Sequence, residues 1–168
     1  MSLDEVLLGQ VRYRDRGWNE GAAETDALRA LSDLGRLAGN VPVILLGHAM
    51  GGRTALRAAV HPQVLGVVAL APRLPACENV GGLAGRSILL VQGEDGGTAA
   101  RRQMQDFVQR ARTAGARAGG VVVLGGGPWM ARRASTWHGV TAAAVRQMPR
   151  PHAQGPHRAW SSPVPVVV

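Results

Sequence analysis

The sequence predicts an α/β domain: a mostly parallel sheet of about five strands with helices on both faces. Three observations carry this. Apolar, β-rich runs alternate along the chain with stretches of helical periodicity. Two of the runs, Val41 to Leu46 and Val64 to Leu70, are continuously apolar, as in strands buried on both faces. Glycine- and proline-rich breaks separate the segments, and right-handed crossovers would then place helices on either side of the sheet.

Each element has its own signal. Val6 to Tyr13 reads as a short first strand, followed by the turn Arg16-Gly17-Trp18-Asn19. Ala27, Leu28, Leu31, Leu34 and Leu37 recur at helical spacing, which predicts a helix from Ala22 to Leu37 with Gly39-Asn40 as its stop. After the strand Val41 to Leu46, a glycine-rich turn from Gly47 to Gly52 leads into a helix from Arg53 to Val60. The strand Val64 to Leu70 ends at Pro72, and Arg73 to Gly85 reads as a loop. Ser87 to Val91 is the next strand. Met104, Phe107, Val108 and Ala111 share one face of a helix from Ala99 to Ala114. Val121 to Leu124 is the last strand, broken by Gly125-Gly126-Gly127-Pro128, and Ala134 to Met148 is the closing helix. Residues 1–148 thus form one domain. Residues 149–168, rich in Pro, His and Ser, are expected to be a disordered tail ending in the apolar Val164 to Val168.

Composition narrows the function classes. The net charge is +8, yet every one of the nineteen basic residues is arginine and they are scattered, so no basic stripe with stacking aromatics points to nucleic acid. The single cysteine, Cys77, excludes an internal disulfide, and the five histidines lack metal-ligand spacing. No cofactor or metal is called for. No apolar run approaches the ~20 residues of a membrane span. Acidic residues near Met1 argue against an export signal, so a cytoplasmic location is the expectation.

One motif carries chemistry. Gly47-His48-Ala49-Met50-Gly51-Gly52 follows a buried strand and opens a helix. Small residues at 47 and 51 would let the chain turn sharply, so that the central side chain projects above the sheet. The backbone N–H of Met50, at the helix N-terminus, would face a developing oxyanion.

This segment resembles the Gly-His-Ser-Met-Gly-Gly nucleophile elbow of α/β-hydrolases, with Ala49 where that family has serine. Arg12-Tyr13-Arg14, Arg16 to Asn19, Ala69-Leu70-Ala71-Pro72 and Trp137-His138 resemble a small actinobacterial branch of the same family, so the resemblance spans most of residues 11 to 148. It implies an esterase-like ancestry and a triad in the order nucleophile, acid, histidine. The acid position falls on Asp95 within Val91-Gln92-Gly93-Glu94-Asp95, with Glu94 as the alternative. The histidine position falls on Pro128. Nothing before Val11 matches the family's earlier strands or its second oxyanion donor, so the fold is expected to lack its N-terminal part and to leave a sheet edge open.

Loss of one triad member typically costs ~10⁴ to 10⁶ in turnover. With two positions vacated, the expectation is a pseudoenzyme, silent as a serine hydrolase, that binds a small acyl or carbonyl ligand, a protein partner or a second copy of itself. The alternative is a weak hydrolase or lyase in which Asp95 acts on water with His138 or His48. Each of these residues also has a plainer reading: a loop-capping Asp, a packed Trp137-His138 pair, and a local hydrogen bond at His48. Cys77 has no base placed to activate it and is expected to be buried or inert. Trp129 is expected to pack in the core or close the site, with filling of the emptied histidine pocket as the alternative.

Overall fold

The computed structural model describes residues 8–14, 20–127, 130 and 132–148. The sheet has four strands, β1 (Val43–His48), β2 (Val64–Leu70), β3 (Ser87–Gly93) and β4 (Arg117–Val123), all parallel and adjacent in chain order. Helix α1 (Glu20–Ala38) precedes β1, α2 (Met50–Ala58) joins β1 to β2, α3 (Gly97–Thr113) joins β3 to β4, and α4 (Ala134–Gln147) follows β4.

Side chains alternate across the strands and sort the core into two layers. Val67, Ala69, Ile88 and Leu90 face α1, α2 and α3, packing against Leu31, Leu56, Met104 and Phe107. Val68, Leu70, Leu89 and Val91 face the other way, where Trp137 and Ala144 of α4 cover them. Helices therefore lie on both faces, with α4 the one helix of the second layer among the described residues.

Within the expected strand Val6 to Tyr13, the described residues 8–13 carry no regular structure, and among the described residues four strands are seen. Part of the reason is local. Arg14 fixes the end of this segment to α1, its backbone N–H donating to Asp26 Oδ2 at 3.1 Å and its Nε to Asp26 Oδ1 at 2.6 Å. The turn at Arg16 to Asn19 and residues 149–168 lie outside the described residues.

Three boundaries also move. β1 starts and ends two residues later than its apolar run, because Pro42 has no N–H for the ladder while Gly47 and His48 pair with Ala69 and Leu70. β4 begins at Arg117 instead of Val121. Its Gly119 and Gly120 pair with Leu89 and Leu90, and a Cβ on Gly120 would stand 3.1 Å from Met104 Sδ, so glycine makes room for α3. α2 begins at Met50, three residues before the predicted start at Arg53.

The loop between β2 and β3 is held by a buried carboxylate. The Glu78 side chain is fully buried and pairs with two arginines of α2: Arg57 Nε lies 2.7 Å from Oε1, and Arg53 Nε donates to Oε2. Arg110 of α3 donates to the Glu78 carbonyl at 2.7 Å, so one residue ties the loop to two helices.

Removing one member of such a network leaves its partners' charge uncompensated. Glu78→Gln is expected to destabilise the domain by about 3 kcal/mol in urea unfolding, far more than substitution of the exposed pair Arg36–Asp33. Acid sensitivity has a separate origin. The Arg14 backbone N–H, then its guanidinium and the charge of Arg29, hold the Asp26 carboxyl below the ordinary range, against the opposing effect of burial. Its contribution is complete above the unfolded aspartate value of about 4 and is lost as pH falls below that. Asp26→Asn should therefore lower the melting temperature at neutral pH and flatten its decline below about pH 4.

Candidate functional site

Parallel strands bring all their C-terminal ends to one side of the sheet, where ligands of open α/β folds bind. Ala49 ends β1, Ala71 ends β2, Asp95 follows β3 and Gly125 to Gly127 follow β4.

The turn from β1 into α2 takes a single residue, Ala49. Its φ of 49° and ψ of −112° lie in a region that a Cβ disfavours. Hydrogen bonds hold both sides of it. The Ala49 N–H donates to the Leu70 carbonyl at 2.8 Å, and the Ala49 carbonyl accepts from Arg53 N–H at 3.2 Å. Ala71 at the end of β2 repeats the device, with φ 44° and its N–H on the Val91 carbonyl at 2.7 Å.

Gly47 is required sterically: a Cβ there would lie 2.2 Å from the Gly51 carbonyl oxygen. Gly52 is nearly as tight, against the Gly47 carbonyl oxygen at 3.0 Å and Ala69 Cβ at 3.3 Å. Gly51 differs from expectation, since a Cβ on it would meet nothing within 4 Å. The small residues that close the turn are thus 47 and 52, and 51 contributes its backbone. Because α2 starts at Met50, the N–H groups of Met50, Gly51 and Gly52 have no acceptor one turn back and form a donor cluster beside residue 49. His48, half-buried, pairs in register with Leu70.

On the acid side, Glu94 and Asp95 share a short 3₁₀ turn directly after β3. Glu94 Oε2 accepts the Gly125 N–H at 2.9 Å, and the Asp95 N–H donates to the Gly126 carbonyl at 3.2 Å. The β4 loop comes so close that a Cβ on Gly93 would lie 2.4 Å from the Gly126 oxygen. Glu94 is therefore occupied with holding the loop. Asp95 Oδ2 lies 3.5 Å from the point a Cβ on Gly127 would occupy. The carboxylate of Asp95, 44% exposed, is 3.5 Å from Arg132 Nη1.

Pro128 and Trp129 lie outside the described residues. The described position directed at the acid is Gly127, one residue earlier, which carries no side chain. His138 is exposed on α4, while its neighbour Trp137 is 1% exposed and packs in the core, so of the expected packed pair only the tryptophan is packed. Cys77 is exposed, so of the expected buried or inert thiol the burial does not hold, and it lies in the loop between β2 and β3.

The arrangement presents a donor cluster at the end of β1 and a carboxylate at the end of β3, about 10 Å away across two strand spacings. Arg53, Arg57 and Glu78 under the elbow, and Arg132 beside Asp95, had not been singled out from the sequence. The i, i+4 spacing of Arg53 and Arg57 on a helix was a usable signal for a shared anion, but nothing local named Glu78. Among the described residues no three His, Cys, Asp or Glu side chains group as metal ligands, and no helix is long and apolar enough to cross a membrane.

The fold and site define a parallel α/β domain with a strained strand-to-helix turn at the C-terminal ends of its strands. No protein-family model, curated protein or solved structure matches the chain.

Glycine adopts positive φ without the penalty that Ala49 carries. Ala49→Gly is expected to stabilise the domain by about 1 kcal/mol in urea unfolding. A destabilisation of that size would show that the alanine methyl packs rather than strains.

Proposed function

We propose that this chain is a disarmed α/β-hydrolase: it keeps a nucleophile elbow, carries no nucleophile on it, and acts by binding instead of turnover. The observation that carries this reading is the backbone of Ala49, at φ 49° and ψ −112° between a buried strand and a helix N-terminus. Such a conformation costs of order 1–3 kcal/mol and in acyl-transfer enzymes serves to raise a hydroxyl above the sheet. Here it raises a methyl group, which cannot attack a carbonyl.

The order of the strand ends supports the same ancestry. The nucleophile position follows β1, the acid follows β3, and the loop that would supply the histidine follows β4. Arg132, and no imidazole among the described residues, lies beside Asp95. What remains useful is the donor cluster of Met50 to Gly52, suited to a carbonyl or carboxylate oxygen. The ligand class is therefore a small acyl or carbonyl compound, with a protein partner as the other route by which the chain acts.

Hydrolysis of a short-chain p-nitrophenyl ester tests this. The unaltered protein and Ala49→Ser are expected at background. Ala49→Ser combined with Gly127→His or with Pro128→His restores a nucleophile and a base, and the better placed pair should rise at least ~100-fold above background. Turnover by the unaltered protein, abolished by Asp95→Ala or His138→Ala, would overturn the reading and favour non-serine chemistry.

A further inference from the structure

Among the described residues a cleft opens between α1, the C-terminal half of α2 and the loop from β2 to β3. Its volume is about 280 Å³, at the lower end of the range for small-ligand sites. It lies away from the elbow: Arg57, on its wall, stands ~12 Å along α2 from Ala49.

One part of the lining is apolar. Leu56 and Leu83 are almost fully buried, and Val60 stays 52% exposed. A Cβ on Gly82 would collide with Val60 Cγ1, so the loop closes directly against that side chain.

The rest of the lining is charged, with both signs present. Glu24 of α1 and Arg57 of α2 line the same cleft. Glu24 is half-buried, and among the described residues no side chain pairs with it. A carboxylate placed in this way loses part of its hydration and gains no protein partner, a cost that a cationic group on a ligand would offset. Arg57 is held differently. Its Nε donates to Glu78 Oε1 at 2.7 Å, and its side chain is 22% exposed. The buried Glu78 thus fixes the guanidinium at the wall of the cleft. A guanidinium carries five N–H donors, so it can hold Glu78 and take a ligand carboxylate as well. Asn79 adds a further donor: its Oδ1 accepts the Gly81 N–H at 2.9 Å, which leaves the side-chain NH₂ to meet a ligand.

A purely anionic ligand would be repelled by Glu24, and a purely cationic one by Arg57. A small molecule with an ammonium, a carboxylate and a short aliphatic body satisfies all three parts of the lining. We propose that this cleft is a second binding site, for a free aliphatic amino acid. Glu24 takes the ammonium, Arg57 and Asn79 take the carboxylate, and Leu56, Leu83 and Val60 receive the side chain. The site stands independently of the elbow and of the acyl or carbonyl ligand proposed there.

Titration of the ¹⁵N-labelled full-length protein with L-valine, followed by NMR, tests this. The amide signals of Glu24, Arg57 and Asn79 to Leu83 should move and saturate with a Kd of about 1 mM or tighter, while those of Met50 to Gly52 stay in place. Isobutylamine lacks the carboxylate of valine and isovalerate lacks its ammonium. Each should bind the unaltered protein at least ~10-fold more weakly than L-valine. Glu24→Gln should weaken L-valine by about the same factor and leave isovalerate unchanged, which a merely structural role for Glu24 would not produce. Absence of saturation by about 20 mM L-valine overturns the proposal. So does equal binding of L-valine and isovalerate, or unaltered L-valine affinity in Glu24→Gln. Shifts confined to Met50 to Gly52 also overturn it, because the ligand would then sit at the elbow.

Discussion

The approach of Gly47 to the carbonyl of Gly51 governs this molecule. A side chain at 47 would collide with the backbone one turn ahead, so only glycine lets β1 pass into α2 through one residue. That single residue is forced to positive φ. The tight turn in turn fixes where α2 begins and which of its faces meets the sheet. Arg53 and Arg57 then point to the loop after β2, and the buried Glu78 completes the arrangement. Strain at Ala49 and the ion network are two consequences of one steric fact.

The two layers of the core share the work unequally. Three helices and the β2–β3 loop cover one face, with Phe107, Leu56 and Leu83 fully enclosed. Among the described residues a single helix covers the other, and its main anchor is Trp137. Central strands β2 and β3 are buried throughout most of their length, whereas β1 is half-covered, consistent with its place at the edge. The strained turn at Ala49 thus hangs from a half-covered strand. Its rigidity comes from hydrogen bonds to the neighbouring strand end at Leu70 and from the close-packed glycines, not from burial.

Most of the architecture was legible in the residues. Continuous apolar runs located β2 and β3 almost to the residue, and the periodicity of Met104, Phe107, Val108 and Ala111 named the buried face of α3. The tight turn after β1 was legible in part: Gly47 meets a steric requirement, whereas the second close-packed glycine is Gly52 and not the expected Gly51. Other features depended on contacts between distant residues. Gly119 and Gly120 have little strand propensity, and they join β4 because β3 offers a ladder and Met104 needs the space. The segment at 8–13 has strand-like composition, but Arg14 binds Asp26 and the segment stays out of the sheet. Glu94 and Asp95 were both legible as the carboxylates after β3, while the contact of Glu94 with Gly125 and the direction of Gly127 towards Asp95 could come only from the folded backbone.

A crystallographic determination of φ and ψ at residue 49, in the unaltered protein and in Ala49→Ser, tests the central claim most directly. If the surrounding backbone imposes the elbow irrespective of the side chain, both proteins will show φ near +50°, with α2 starting at Met50. A negative φ at Ala49, with the helix beginning near Arg53 as the bare sequence suggested, would mean that the backbone does not impose the turn. The chain would then keep the outline of the fold without a built site.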